Sequence, residues 1–139
     1  MIENEVQIRV RYAETDKMGY VYYGNYATYF EVARVETFRK IGFSYKQLEE
    51  AGTMMPVLEY KTKFIKPAFY DDLLKVKAIV KTKPTARIIF EYEVYNEAEI
   101  LLTLGETTLV FVNRTTGRPC VLPESFEKLM VPFFNDQKK

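Results

Sequence analysis

A chain of 139 residues, 47% hydrophobic and 28% charged, is one globular domain's worth of sequence and large enough to bury a core without disulfide staples. Its 20 basic and 19 acidic residues leave a net charge of +1, so there is no polyelectrolyte attraction towards nucleic acid or an anionic membrane. Zero histidines and a single cysteine, Cys120, exclude Ser-His and Cys-His nucleophilic pairs and zinc sites built on His or thiolate. Without an organic cofactor, acid–base work therefore falls to Asp, Glu, Lys or Tyr.

The alternation of Val6, Ile8, Val10 and Tyr12 with Gln7, Arg9 and Arg11 predicts a half-buried strand. A polar turn over 13–17 follows. From Tyr26 the period changes: Tyr26, Phe30, Ala33, Thr37 and Ile41 fall on one helical stripe, widened by Tyr29 and Phe38. Asn25 is the expected N-cap of this long helix and Gly42 its end. Ser44 and Gln47 have the spacing of a capping box that opens a short second helix. Strands resume after Pro56. Leu58, Tyr60, Thr62 and Phe64 share a face; so do Leu74, Val76, Ala78 and Val80; so do Ile88, Phe90, Tyr92 and Val94. The run 100–113 reads as one strand bent near Gly105. Pro123 then opens a short helix with Phe126, Leu129 and Met130 on one side. Four consecutive strands with short connections predict an antiparallel meander, and the long helix is available to cover its apolar face. The fold class is α+β. A single domain over 1–134 with a polar tail at 135–139 is expected. Nothing resembles a signal peptide, and no apolar run approaches the length of a membrane span, so the expected location is the cytoplasm.

The segment Tyr12-Ala13-Glu14-Thr15-Asp16-Lys17-Met18-Gly19-Tyr20-Val21-Tyr22-Tyr23-Gly24-Asn25-Tyr26 resembles the signature of the 4-hydroxybenzoyl-CoA thioesterase-like hotdog family, which includes the small acyl-CoA thioesterases associated with the Tol-Pal system. The Asp, the Gly three residues on, the Val two after that and the Tyr ten after the Asp carry the match. Phe30-Glu31, Ala33 and Arg34 continue it, and Pro67-Ala68-Phe69-Tyr70-Asp71-Asp72-Leu73 resembles the family's proline and paired-Asp turn. The resemblance implies a hotdog fold, an antiparallel sheet wrapped around one long helix. It also implies a homodimer or homotetramer with sites at the subunit interface, and hydrolysis of acyl-CoA to a carboxylate and CoA with no cofactor and no metal.

By the same resemblance Asp16 is the catalytic carboxylate, acting as nucleophile or as the base that activates water, and the backbone amide of Tyr23 polarises the thioester carbonyl. The free amides at the helix start Tyr23-Gly24-Asn25 suit developing negative charge independently of any family. For Asp16 the structural alternative is a side chain that satisfies turn amides. Tyr22, Met55 and Val57, with Tyr23 and Met54, are candidates for the acyl pocket, although such side chains also make plain core. Lys83 and Arg87, with Lys63 and Arg118, are candidates for the CoA phosphates, or else a solvated basic face. Arg87 and Pro84 depart from residues common in the family. Glu31 is a rival carboxylate because other hotdog subfamilies use one on the helix; its plainer role is an i,i+3 pair with Arg34. Two other functions stay open: a protein that binds acyl thioesters without cleaving them, and a thioesterase for acyl groups on a carrier protein. Hydratase chemistry in this fold generally needs a His, which the chain lacks.

Overall fold

The computed structural model describes residues 1–135, so the remainder of the expected polar tail lies outside the described residues. The chain runs through β1 (Ile2–Arg9), α1 (Tyr26–Ile41), α2 (Tyr45–Glu50), β2 (Thr53–Met54), β3 (Val57–Phe64), β4 (Leu73–Val80), β5 (Arg87–Tyr95), β6 (Leu101–Val110), β7 (Val112–Asn113) and α3 (Glu124–Met130). Five strands form one antiparallel sheet in the order β1-β4-β5-β6-β3, and β2 pairs with β7.

The two-residue alternation fixes which face each strand buries. Leu74, Val76, Ala78 and Val80 of β4, and Ile88, Phe90, Tyr92 and Val94 of β5, are buried beneath α1, while Lys75, Lys77, Glu91 and Glu93 lie on the opposite face. From α1 the side chains of Tyr26, Tyr29, Phe30, Ala33, Thr37 and Phe38 are buried in return. Gly42 ends α1 with φ 115, and its N–H reaches the carbonyls of Phe38 and Arg39. The Ser44–Gln47 capping box forms in both directions, 2.9 and 3.2 Å.

Several expectations need correction. Only β4, β5 and β6 form a meander; β3 pairs with β6 at the far edge, and the connection 65–72 carries the chain across to β4. Alternation reports faces, not neighbours, so this order was hidden. Tyr12 leaves the strand and is exposed in a 3-10 turn, Tyr12–Glu14. Asn25 precedes α1 but caps nothing with its side chain; its amide donates to the Glu14 carbonyl at 2.8 Å. Pairing runs through Gly105 without a break in register. The glycine serves close approach instead: a Cβ there would lie 2.5 Å from the Phe30 ring. Arg34 does not pair with Glu31. It is buried, donating from Nε to Tyr45 Oη at 3.0 Å and from Nη1 to Tyr92 Oη at 3.1 Å, and Tyr92 shares a 2.6 Å bond with Thr107. Burial pushes the Tyr92 hydroxyl up to about 12, so it stays protonated.

Candidate active site

Asp16 sits in a tight loop whose hydrogen bonds are local. Its N–H donates to the Tyr20 carbonyl at 2.8 Å, and its own carbonyl accepts from Gly19 at 3.0 Å. Carboxylate Oδ1 accepts the amides of Met18 at 2.9 Å and Tyr20 at 3.2 Å, the side-chain-to-backbone pattern that Asp favours in turns. Oδ2 accepts nothing among the described residues. One oxygen therefore shapes the loop, and that structural role does not occupy the other.

The second half of the loop is anchored elsewhere. Val21 donates to Ala68 at 2.8 Å, Tyr20 bridges to Phe69, and Asp72 Oδ2 accepts the Phe69 amide at 2.9 Å. The Pro67–Asp72 turn thus positions the Asp16 loop. Tyr23 then opens the 3-10 turn Tyr23–Asn25, which runs directly into α1. Amides at the first positions of such a turn have no carbonyl within it to meet. Gly24 lets this turn close on Tyr22, since a Cβ would fall 2.8 Å from the Tyr22 ring.

Asp16 and Tyr23 line one concavity of about 270 Å³ with Met18, Tyr20, Val21, Phe64, Ile65, Lys66 and Pro67. Its wall is mostly apolar and includes one carboxylate, the Lys66 ammonium and the turn that opens α1. That combination suits an apolar acyl group whose carbonyl meets a carboxylate on one side and amide donors on the other. Tyr22 is adjacent, its ring 4.5 Å from that of Tyr23, but it does not line the concavity. Met55 packs against the core and Val57 is exposed on β3. Lys83 Nζ pairs with Glu127 at 2.9 Å, and Arg87 is exposed at the start of β5. Within one chain none of Met55, Val57, Lys83 and Arg87 joins Asp16. Glu31 is exposed on α1 and also stays outside the concavity.

Phe64, Ile65, Lys66 and Pro67 reach the concavity through the crossing that follows β3 at the sheet edge, which residue alternation does not report. Glu14 was also missed. It is buried, Tyr29 Oη donates to it at 3.0 Å, and Arg11 pairs with it at 2.9 Å. Burial pushes this carboxyl up, but the Arg11 and Tyr29 hydrogen bonds outweigh it and hold it below the ordinary 4.5. Burial and the Glu14 bond together keep the Tyr29 hydroxyl protonated far above its usual range. A carboxyl depressed in the folded state contributes stability that is present above the ordinary value and lost as pH falls through the folded one. The melting temperature is thus expected to drop between about pH 5 and pH 3, less steeply in Glu14→Gln. Identical slopes for the two proteins would show that Glu14 is not the linked group.

Residues 10–129 match the family model described as the thioesterase-like superfamily. The structure superposes on a DHNA-CoA thioesterase from Staphylococcus aureus with a TM-score of 0.89 and 39% identity, covering 100% of this chain and 97% of the other. YneP of Bacillus subtilis (strain 168) is 32% identical over 123 residues, 88% of this chain and 83% of its own. The acyl-CoA thioester hydrolase YbgC of Escherichia coli O157:H7 is 29% identical over 118 residues, 85% of this chain and 88% of its own. With the five-stranded antiparallel sheet packed on one long helix and the matched span reaching from the Asp16 loop to α3, the chain belongs to the thioesterase-like superfamily.

Proposed function

We propose that the chain hydrolyses acyl-CoA thioesters to a carboxylate and free CoA. The observation that carries this reading is the meeting of Asp16 and the Tyr23 helix start on one apolar concavity. A thioester carbonyl is electrophilic and its thiolate leaves readily, so a carboxylate suffices without His, either by attacking the carbonyl or by deprotonating a water. The Tyr23 amide stabilises the oxyanion that forms; one such donor contributes about 3 kcal/mol in other enzymes. The names borne by the relatives support the substrate class.

β3 is one of the two edges of the sheet, β1 being the other, and Val57, Leu58, Tyr60, Phe64 and the following Ile65 are exposed along it. An apolar open edge of this kind invites pairing with another strand. A second copy of the chain, paired β3 to β3 about a two-fold axis, covers it and adds its own surface to the concavity. Met55, Val57, Lys83 and Arg87 enter the site as contributions across that boundary, and Tyr22 shapes the helix start. The assembly is a homodimer or a pair of such dimers. Light scattering at assay concentration is expected to give a mass of at least two chains; a monomer that turns over at full rate contradicts a shared site. Among the described residues no helix is long and apolar enough to cross a membrane, and the cytoplasm is the proposed location.

Thiol release from butyryl-, decanoyl-, palmitoyl- and benzoyl-CoA tests the activity. Cleavage of at least one with saturable kinetics is expected. Tight binding of an acyl-CoA that stays intact would favour a binding protein instead, and cleavage only of a carrier-bound acyl group would move the substrate to the carrier protein.

A further inference from the structure

Glu14 takes no part in the chemistry proposed above, yet it is the one buried carboxylate among the described residues, 8% exposed. A buried charge is costly unless every oxygen finds a partner. Here each does. Oε1 accepts the Arg11 amide at 2.8 Å and the Tyr29 hydroxyl at 3.0 Å; Oε2 accepts Arg11 Nη2 at 2.9 Å and Nε at 3.3 Å. Its backbone carbonyl accepts two further bonds, from the Tyr22 amide and from Asn25 Nδ2, both at 2.8 Å.

The partners are distributed in a way that simple loop closure does not require. Tyr22 and Asn25 flank Tyr23, and Tyr29 lies within α1 beyond them. One residue is therefore bonded to the helix start on both sides of the Tyr23 amide. The same residue stands two positions before Asp16, and between them Thr15 bridges to Val21. The Asp16 loop is tied to Tyr20 and Val21, but neither of those bonds reaches the turn that carries Tyr23. Glu14 adds a second connection between loop and turn beside the Asp16–Tyr20 bonds, because its carbonyl accepts the Tyr22 amide directly before Tyr23. Arg11, whose side chain is 76% exposed, balances the charge from the solvent side. The same bonds that lend Glu14 its acid-dependent stability also join it to α1, which a pair confined to the loop would not do.

We propose that Glu14 is a positioning residue: its carboxylate, held by Tyr29 and Arg11, fixes the Glu14 carbonyl that accepts from Tyr22 and Asn25, so that the Asp16 carboxylate and the Tyr23 amide keep a fixed separation across the acyl concavity. This role rests on the hydrolytic reading of Asp16. Misplacement of reacting groups by about 1 Å can cost about a hundredfold in rate, which sets the scale of what this placement protects.

The test is kcat and KM for the best-cleaved substrate among butyryl-, decanoyl-, palmitoyl- and benzoyl-CoA. It compares wild type, Glu14→Gln, Tyr29→Phe, Asp16→Asn and the double variant Asp16→Asn/Glu14→Gln, with folded fractions checked by circular dichroism. Tyr29→Phe removes one bond and leaves the Arg11 pair, so it reports even where Glu14→Gln folds poorly. Glu14→Gln and Tyr29→Phe are expected to lower kcat by roughly 10- to 100-fold with KM within about twofold of wild type. In the Asp16→Asn background, Glu14→Gln is expected to change the residual rate by less than about twofold, because the group it positions is already gone. Wild-type kcat in both single variants overturns the proposal. So does an equal loss in both backgrounds, or a loss that follows the folded fraction alone. Asp16→Asn at the wild-type rate, or a wild type that cleaves none of the four substrates, overturns the hydrolytic reading and this role with it; a slow Asp16→Asn beside a fast Glu14→Gln overturns the positioning role only.

Discussion

Asp16→Asn is expected to lower kcat for acyl-CoA cleavage by about a hundredfold or more while KM stays within a few fold. The isostere preserves what Asp16 does for the loop, because an amide oxygen in the place of Oδ1 still accepts from Met18 and Tyr20. It removes only the negative charge and basicity of the other position. The concavity, built mainly from Met18, Tyr20, Val21, Phe64, Ile65 and Pro67, is left intact, so binding persists. A loss confined to kcat identifies an interaction made in the transition state. If KM rises and kcat holds, Asp16 binds rather than reacts. If neither changes, Asp16 is a turn residue and Glu31 on α1 becomes the carboxylate to replace next.

The largest effect on stability is expected at Phe30. Its ring is fully buried, stacked 4.2 Å from Tyr92 at an interplanar angle of 10° and 6.1 Å from Tyr60, directly over Gly105. Phe30→Ala is expected to cost about 3–5 kcal/mol in urea unfolding, the usual range for a large aromatic removed from a closed core. Gly105→Ala places a methyl 2.5 Å from the same ring and is expected to cost about 1–3 kcal/mol by overpacking. Because both changes act on one contact, Gly105→Ala combined with Phe30→Leu is expected to be less destabilised than the sum of the two. Strict additivity would mean that the ring is not wedged against this point of the sheet. The contact matters for function as well, since Phe30 seats on the sheet the helix whose preceding turn supplies Tyr23.

Much of this fold was written in local patterns. The stripe from Tyr26 to Phe38, the stop at Gly42, the Ser44–Gln47 box and the buried faces of β4 and β5 each depend on residues a few positions apart, and each is present in the structure. The order of the strands depends on contacts between distant segments, and there the sequence misled: β3 lies beside β6 rather than β4. Arg34 likewise looked like half of a surface pair, because its true partners, Tyr45 and Tyr92, come from α2 and β5.

The site divides the same way. That Asp16 and Tyr23 lie on one concavity was legible because one short motif contains both and the chain turns back within it. The wall formed by Phe64, Ile65, Lys66 and Pro67 was not, since those residues reach Asp16 only through the position of β3 and the crossing that follows it. Glu14 stood in plain view inside the motif, but its bond to Tyr29 spans 15 positions and leaves no periodic trace.

The most direct measurement is the carbonyl stretching frequency of a carbon-13-labelled thioester bound to Asp16→Asn, read by isotope-edited infrared difference spectroscopy. With the carboxylate removed the substrate remains whole, and the amide at Tyr23 is still in place. A carbonyl band at lower frequency than that of the same acyl-CoA free in water is expected, because amide donors at a helix start polarise the bond towards the oxyanion. A band at or above the solution frequency would contradict a thioester held between Asp16 and Tyr23.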